Sequence, residues 1–192
     1  MRYADILIFD FPFRKVYVDE MILFVTGPLH SGKTTFIKHL IAQITDQGLT
    51  IGGYRTPAVF KNGNRVGYNL EDLKTGRLYP FLRTEGEPGW QKVGAYFFIP
   101  SGLEKAGSII NGCASDVCII DEIGPLELAG RGLWPPISEL LSRRTSPVLF
   151  VVREFLLDHF IPRFSDHRIF VFDILKKNTS SGILARLSRR DR

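Results

Sequence analysis

Nine consecutive residues, Gly27-Pro28-Leu29-His30-Ser31-Gly32-Lys33-Thr34-Thr35, have the types and spacing G-x-x-x-x-G-K-[ST] of a phosphate-binding loop. Gly27 and Gly32 let backbone N–H groups turn toward one point with no Cβ in the way. The ammonium of Lys33 suits the β- and γ-phosphates of a nucleotide, and the hydroxyl of Thr34 suits Mg²⁺. Thr35, one residue further on, is placed for the α-phosphate. His30 stands where many such loops carry Gly, and His is among the residues enriched at positive φ, which keeps the loop compatible with it.

A second stretch supplies the complementary chemistry. In Val117-Cys118-Ile119-Ile120-Asp121-Glu122 a short apolar run ends in two acids. Such a run between polar flanks predicts a central parallel strand, and the ligand crevice of an open α/β sheet lies beyond the carboxyl ends of its strands. A lone Asp-Glu there is ordinarily a solvated strand end. Downstream of a phosphate loop it is what Mg²⁺ coordination requires. Asp121 is the candidate to hold the ion through a water, and Glu122 the candidate to orient a water for attack on the γ-phosphate. Glu127, a few residues on, is either a supporting acid or a helix-start residue, with the structural role favoured.

The flanking elements must aim these groups. Met21 to Val25 predicts a buried strand into the loop; Phe36, Ile37, Leu40, Ile41 and Ile44 then recur at helical spacing, and Gly48 ends the helix. Strand, loop and helix in that order point backbone N–H groups and the positive end of a helix dipole at one spot. Residues 49–54 predict a second strand. Asn62-Gly63, between Ala58-Val59-Phe60 and Arg65-Val66-Gly67-Tyr68, predicts a hairpin, which 78–82 extends into an antiparallel meander. That insert is either a flap beside the nucleotide or a widening of the sheet. Ser101 and Glu104 have capping-box spacing at the start of a helix reaching Ile110 and ending at Asn111-Gly112. Helices are expected over 133–143, 154–160 and 180–190, and strands over 148–152 and 168–173. Residues 1–20, with Pro12 between two loosely alternating halves, suggest a hairpin at a sheet edge.

Composition sets the class. The chain has 192 residues, 44% of them hydrophobic and 23% charged, which suits one α/β domain with a large core. The net charge of +5 is modest and spread along the chain, so it does not argue for a nucleic-acid partner. Its late concentration at Lys176, Lys177, Arg186, Arg189, Arg190 and Arg192 fits a solvated helix face. Cys113 and Cys118 have no second pair with which to bind zinc and suit buried thiols in a reducing compartment. No apolar run is long enough to span a membrane, and Asp5 and Asp10 interrupt the N-terminus as a secretory core would not tolerate. A cytoplasmic protein is the expectation, with a monomer as the favoured state.

These motifs together resemble the small thermophile-type nucleoside triphosphatases, the P-loop family that includes the cancer-related nucleoside triphosphatase. The resemblance rests on Val25-Thr26-Gly27-Pro28 running into Gly32-Lys33-Thr34-Thr35, on Gly53-Tyr54-Arg55-Thr56, Arg65-Val66-Gly67-Tyr68 and Val93-Gly94-Ala95-Tyr96, and most specifically on Ile120-Asp121-Glu122-Ile123-Gly124-Pro125-Leu126-Glu127-Leu128. It implies a RecA-like P-loop NTPase domain over 21–192, a mainly parallel sheet flanked by helices with an antiparallel hairpin insert, and an N-terminal extension over 1–20. It also implies Mg²⁺-dependent hydrolysis of ATP, GTP and other nucleoside triphosphates. Lys33, Thr34 and Asp121 then take the phosphate and metal roles, and Glu122 the water. Leu29-His30 replaces the usual Pro-Gly, and Asn178 is followed by Thr179 where an arginine is common. Arg55, Arg65, Arg131 and Arg153 are candidates to stabilise transition-state charge. A small-molecule kinase on the same scaffold, using Arg55, Arg65, Arg77 and Arg83 of the insert, is one alternative. A nucleotide-dependent switch that binds protein or RNA is another.

Overall fold

A computed structural model describes residues 8–9, 21–29, 31–143 and 146–188. Four of its strands are buried along almost their whole length: β2 (Met21–Thr26), β9 (Val117–Ile123), β10 (Val148–Val152) and β11 (Arg168–Asp173). Helices cover both faces of these strands, so apolar runs replace the alternation of a half-exposed strand. With β3 (Ile51–Arg55) they form a parallel block in the order β11-β2-β10-β9-β3.

The insert continues this sheet. Strands β4 (Ala58–Lys61), β5 (Asn64–Asp72) and β6 (Leu78–Arg83) form the expected meander, and β5 pairs antiparallel with β3. Asn62 and Gly63 both take positive φ (50° and 77°), as a two-residue hairpin turn requires. β8 (Tyr96–Phe98) and β7 (Lys92–Val93) complete that edge. At the other edge β1 (Ile8–Phe9) runs antiparallel to β11; the rest of the hairpin expected over 1–20 lies outside the described residues.

One face of the sheet packs on α1 (Lys33–Asp46) and α6 (Thr179–Leu187), the other on α2 (Pro100–Asn111), α4 (Trp134–Arg143), α5 (Glu154–Phe160) and the 3₁₀ turn Ile161–Phe164. Ile37, Leu40 and Ile44 of α1 are all but fully buried against the β2 side, each contributing about 1.5–3 kcal/mol relative to exposure. On the opposite face Phe164 meets Phe24 and Phe150 with ring centroids 5.3 and 5.1 Å apart. Among the described residues no helix is long and apolar enough to cross a membrane.

The expected capping box is not formed. α2 begins at Pro100, with Ile99 as its N-cap and no side-chain cap, so Ser101 sits exposed inside the first turn. Pro100, with its φ preset and no N–H to satisfy, starts the helix one residue before the serine.

Candidate active site

The loop after β2 is closed by close contact. A Cβ on Gly27 would meet Ile174 Cγ1 at 2.9 Å and Ser31 Oγ at 3.0 Å, so only glycine fits. Gly32 is left-handed, at φ 89°, as it opens α1. Lys33 folds back over the loop and its Nζ donates to the carbonyls of Gly27 (2.8 Å) and Pro28 (2.7 Å). Pro28, Leu29, Thr34 and Thr35 lie open to solvent at the mouth of the loop, whereas His30 lies outside the described residues. Two hydroxyls stand out: Thr26 Oγ1 and Ser31 Oγ are buried and have no hydrogen-bond partner among the described residues. Buried polar atoms are rarely left so, and an anion's oxygens seated in the loop would satisfy them.

The two adjacent acids are separated by the backbone. β9 is in register with β10 from Cys118↔Val148 to Ile120↔Phe150, then resumes at Ile123↔Val152, so β9 carries one extra residue there. Glu122 sits in this bulge with φ at 66°, unusual for a side chain other than glycine and a place where strained backbone re-aims a functional group. Asp121 remains inside, 3% exposed, and its Oδ2 accepts from the Thr56 N–H (2.8 Å) and the Thr56 hydroxyl (3.0 Å). Burial raises its pKa above the ordinary carboxylate value, and the bonds from Thr56 oppose that rise. Glu122 points out and accepts from Arg153 Nε at 2.5 Å; the two side chains are 37% and 42% exposed.

Strand order brings loop and acids together. β10 lies between β2 and β9 and runs parallel to both, so all three carboxyl ends share one edge. Arg153 follows the last residue of the middle strand. Burial lowers the Lys33 pKa, and the charge of Glu122 is the strongest influence holding it up, with Asp121 and Glu154 acting the same way. Lysine and acids thus stand at the same edge of the sheet.

Other sequence candidates are engaged by other partners, although the charge of Arg55 also acts on Asp121. Arg55 pairs with Glu71 at 2.6 Å, Arg65 donates to the Tyr68 hydroxyl at 3.0 Å, and Arg131 is exposed beyond α3 (Pro125–Leu128). Arg83 is bound to the carbonyls of Tyr68 and Leu82 and to Asn69. Glu127 takes the structural role: its carboxylate accepts from the N–H groups of Gly124 (2.8 Å) and Leu133 (3.0 Å), fixing the turn that follows β9. Thr179, where the resemblance leads one to expect arginine, is buried and donates to the carbonyls of Asp173 and Lys176. Sequence reasoning did not single out Thr56 as the partner of Asp121. Its signal, a threonine at the end of one strand, acquires meaning only once β3 is known to neighbour β9.

A phosphate loop after one parallel strand, with acids ending a strand one place removed, defines a RecA-like P-loop NTPase domain. The family model described as NTPase matches residues 22–186, and the chain belongs to that family. Among its relatives is the nucleoside-triphosphatase THEP1 of Methanopyrus kandleri, 33% identical over 132 residues, 68% of this chain and 72% of the relative. The protein of the same name from Archaeoglobus fulgidus is 33% identical over 167 residues, 85% of this chain and 96% of the relative. The solution structure of a human cancer-related nucleoside triphosphatase has the same fold, with a TM-score of 0.71 at 24% identity over 90% of this chain and 100% of that one.

Proposed function

We propose that this chain hydrolyses nucleoside triphosphates, ATP and GTP among them, to the diphosphate and phosphate in a Mg²⁺-dependent reaction. The observation that carries this reading is the convergence of Lys33 with Asp121 and Glu122 at one sheet edge, beside two buried hydroxyls that lack partners among the described residues. The names of the relatives agree with it.

The donor set fits a magnesium ion. Thr34 and Asp121 offer hard oxygen ligands, and a buried carboxylate disfavoured by desolvation is stabilised by a cation. No cluster of three His, Cys, Asp or Glu side chains suited to a metal occurs among the described residues, which suits an ion completed by phosphate oxygens and water. Such an ion supplies charge neutralisation on the β- and γ-phosphates.

The chain's own groups do the rest. Residues 31–35 cradle the phosphates through backbone N–H groups, and Lys33 exchanges its carbonyl partners for β- and γ-oxygens. Glu122 orients a water in line with the γ-phosphorus and takes its proton. Arg153, held by Glu122 through Nε, presents the rest of its guanidinium to the charge developing on the transferred group. Phosphate release measured over several nucleoside triphosphates, with Mg²⁺ and with a chelator, tests this reading. Mg²⁺-dependent release that collapses in Glu122→Gln supports it; release independent of both overturns it.

A further inference from the structure

A cavity of about 370 Å³ opens at Asp121, Glu122 and Arg153 and runs away from the phosphate loop beneath the insert. A single attacking water fills only about 30 Å³, whereas ligand sites begin near 300 Å³. Hydrolysis thus leaves most of this space unused.

Its walls have a definite chemistry. Tyr54, Phe81 and Phe98 form an aromatic floor, with the Phe81 and Phe98 rings edge to face at 5.2 Å. Tyr68 and Tyr96, likewise edge to face at 5.3 Å, stand at the side. Such surfaces take a flat ring. Three carboxylates line the cavity, Asp121, Glu122 and Glu127, against one guanidinium already paired with Glu122, so a phosphorylated or carboxylated guest is disfavoured. The guest is not the base of the nucleotide itself. The phosphates run from Thr35 at the α position, past Lys33, to the acids at the γ end, and the base lies beyond the α-phosphate, at the far end from the cavity.

We propose that this cavity binds a second substrate, a small uncharged ring compound bearing a hydroxyl group, and that the chain transfers the γ-phosphoryl group to it. This rests on the triphosphatase reading above, with an alcohol replacing water as acceptor. The hydroxyl oxygen forms a bond to the γ-phosphorus as the bond from that phosphorus to the β,γ-bridging oxygen breaks. The electron pair stays on the departing diphosphate, and the hydroxyl proton passes to Glu122. The products are a phosphomonoester and a nucleoside diphosphate. The insert, which departs from β-α alternation, contributes Tyr68, Phe81 and Leu82 to the walls, and β7 and β8 beyond it add Val93, Tyr96 and Phe98, which gives this edge a purpose that water as acceptor does not.

The test follows ³¹P signals of diphosphate, inorganic phosphate and phosphomonoester from Mg-ATP, with and without benzyl alcohol, 4-hydroxybenzyl alcohol or thymidine. With a ring alcohol, diphosphate exceeds inorganic phosphate by about twofold or more, because a seated hydroxyl outcompetes water, and a phosphomonoester signal accounts for the difference. Val93→Trp, and independently Ala95→Phe at the exposed rim, lower the ratio of transfer to hydrolysis about tenfold by filling the space. Equal diphosphate and inorganic phosphate with all three alcohols, or a transfer ratio unmoved in both variants, overturns the proposal while leaving hydrolysis standing. No diphosphate under any condition overturns the triphosphatase reading instead.

Discussion

Arg153 Nε and Glu122 Oε1 meet at 2.5 Å where β10 and β9 end side by side. The pair unites the residue proposed to handle the water with the one of the four candidate arginines that bonds to it. Both side chains are more than a third exposed, so the contact adds little stability, on the order of 0–1 kcal/mol. Arg153→Ala should therefore unfold within about 1 kcal/mol of the parent in denaturant titration while its turnover falls by about tenfold or more. A variant turning over as fast as the parent would remove Arg153 from the chemistry.

Glu122→Gln keeps the size and most of the polarity of the side chain but cannot accept a proton. Mg-nucleotide affinity, measured by calorimetry, should stay close to the parent value, and turnover should drop by about 10²–10⁴-fold. Loss of binding in step with turnover would assign Glu122 to holding the ligand rather than the water.

Lys33 now holds two loop carbonyls. Lys33→Ala should weaken triphosphate binding by about tenfold or more and diphosphate binding less, since a charged contact to the β- and γ-oxygens is lost. Equal losses for the two nucleotides would place the ammonium away from the γ-phosphate.

Asp121 contributes a pH dependence to stability, in the same direction as the buried Glu127. Its pKa in the folded chain is raised by burial, so the folded state binds the proton more tightly than the unfolded one. Its contribution to nucleotide-free stability is complete below the unfolded pKa and is lost as pH rises through the folded value. Asp121→Asn should retain the bonds from Thr56, flatten that part of the stability–pH curve and melt no lower than the parent at neutral pH. Added Mg-nucleotide should stabilise the parent and do little for this variant. Thermal melts from acid to neutral pH with and without Mg-ATP check both halves.

Phe164 packs on Phe24 and Phe150 with Trp134 at 5.8 Å, in the core beneath the sheet. Phe164→Ala should cost about 3–5 kcal/mol in chemical denaturation. A loss below about 1 kcal/mol would mean that this side of the core collapses readily around the gap.

Much of this arrangement is legible in the chain. Met21–Thr26, the loop glycines and the α1 periodicity are local patterns, and so is the Asn62-Gly63 turn; each is fixed by residues adjacent in sequence. The capping of α2 misled because Ser101 and Glu104 obey a spacing rule that Pro100 pre-empts. Of the two readings of the insert, the widening of the sheet is what its pairing through β3 and β5 shows, and part of it also lines a space next to the acids. The links from Thr56 to Asp121 and from Arg153 to Glu122 span 65 and 31 residues, and no periodicity encodes them. They appear only when strand order is known.

The extra residue in β9 has a consequence for how this chain can change. Ile120 and Ile123 face the same hydrophobic layer although three positions apart, because Glu122 takes up the odd step. Replacing that glutamate leaves Ile123 anchored, so a descendant that folds without the carboxylate proposed to handle the water is one substitution away. Excising it would swing Ile123 out of the core and drag the Gly124–Glu127 turn with it. In this strand the carboxylate can be swapped out, but the position that bears it cannot be dispensed with.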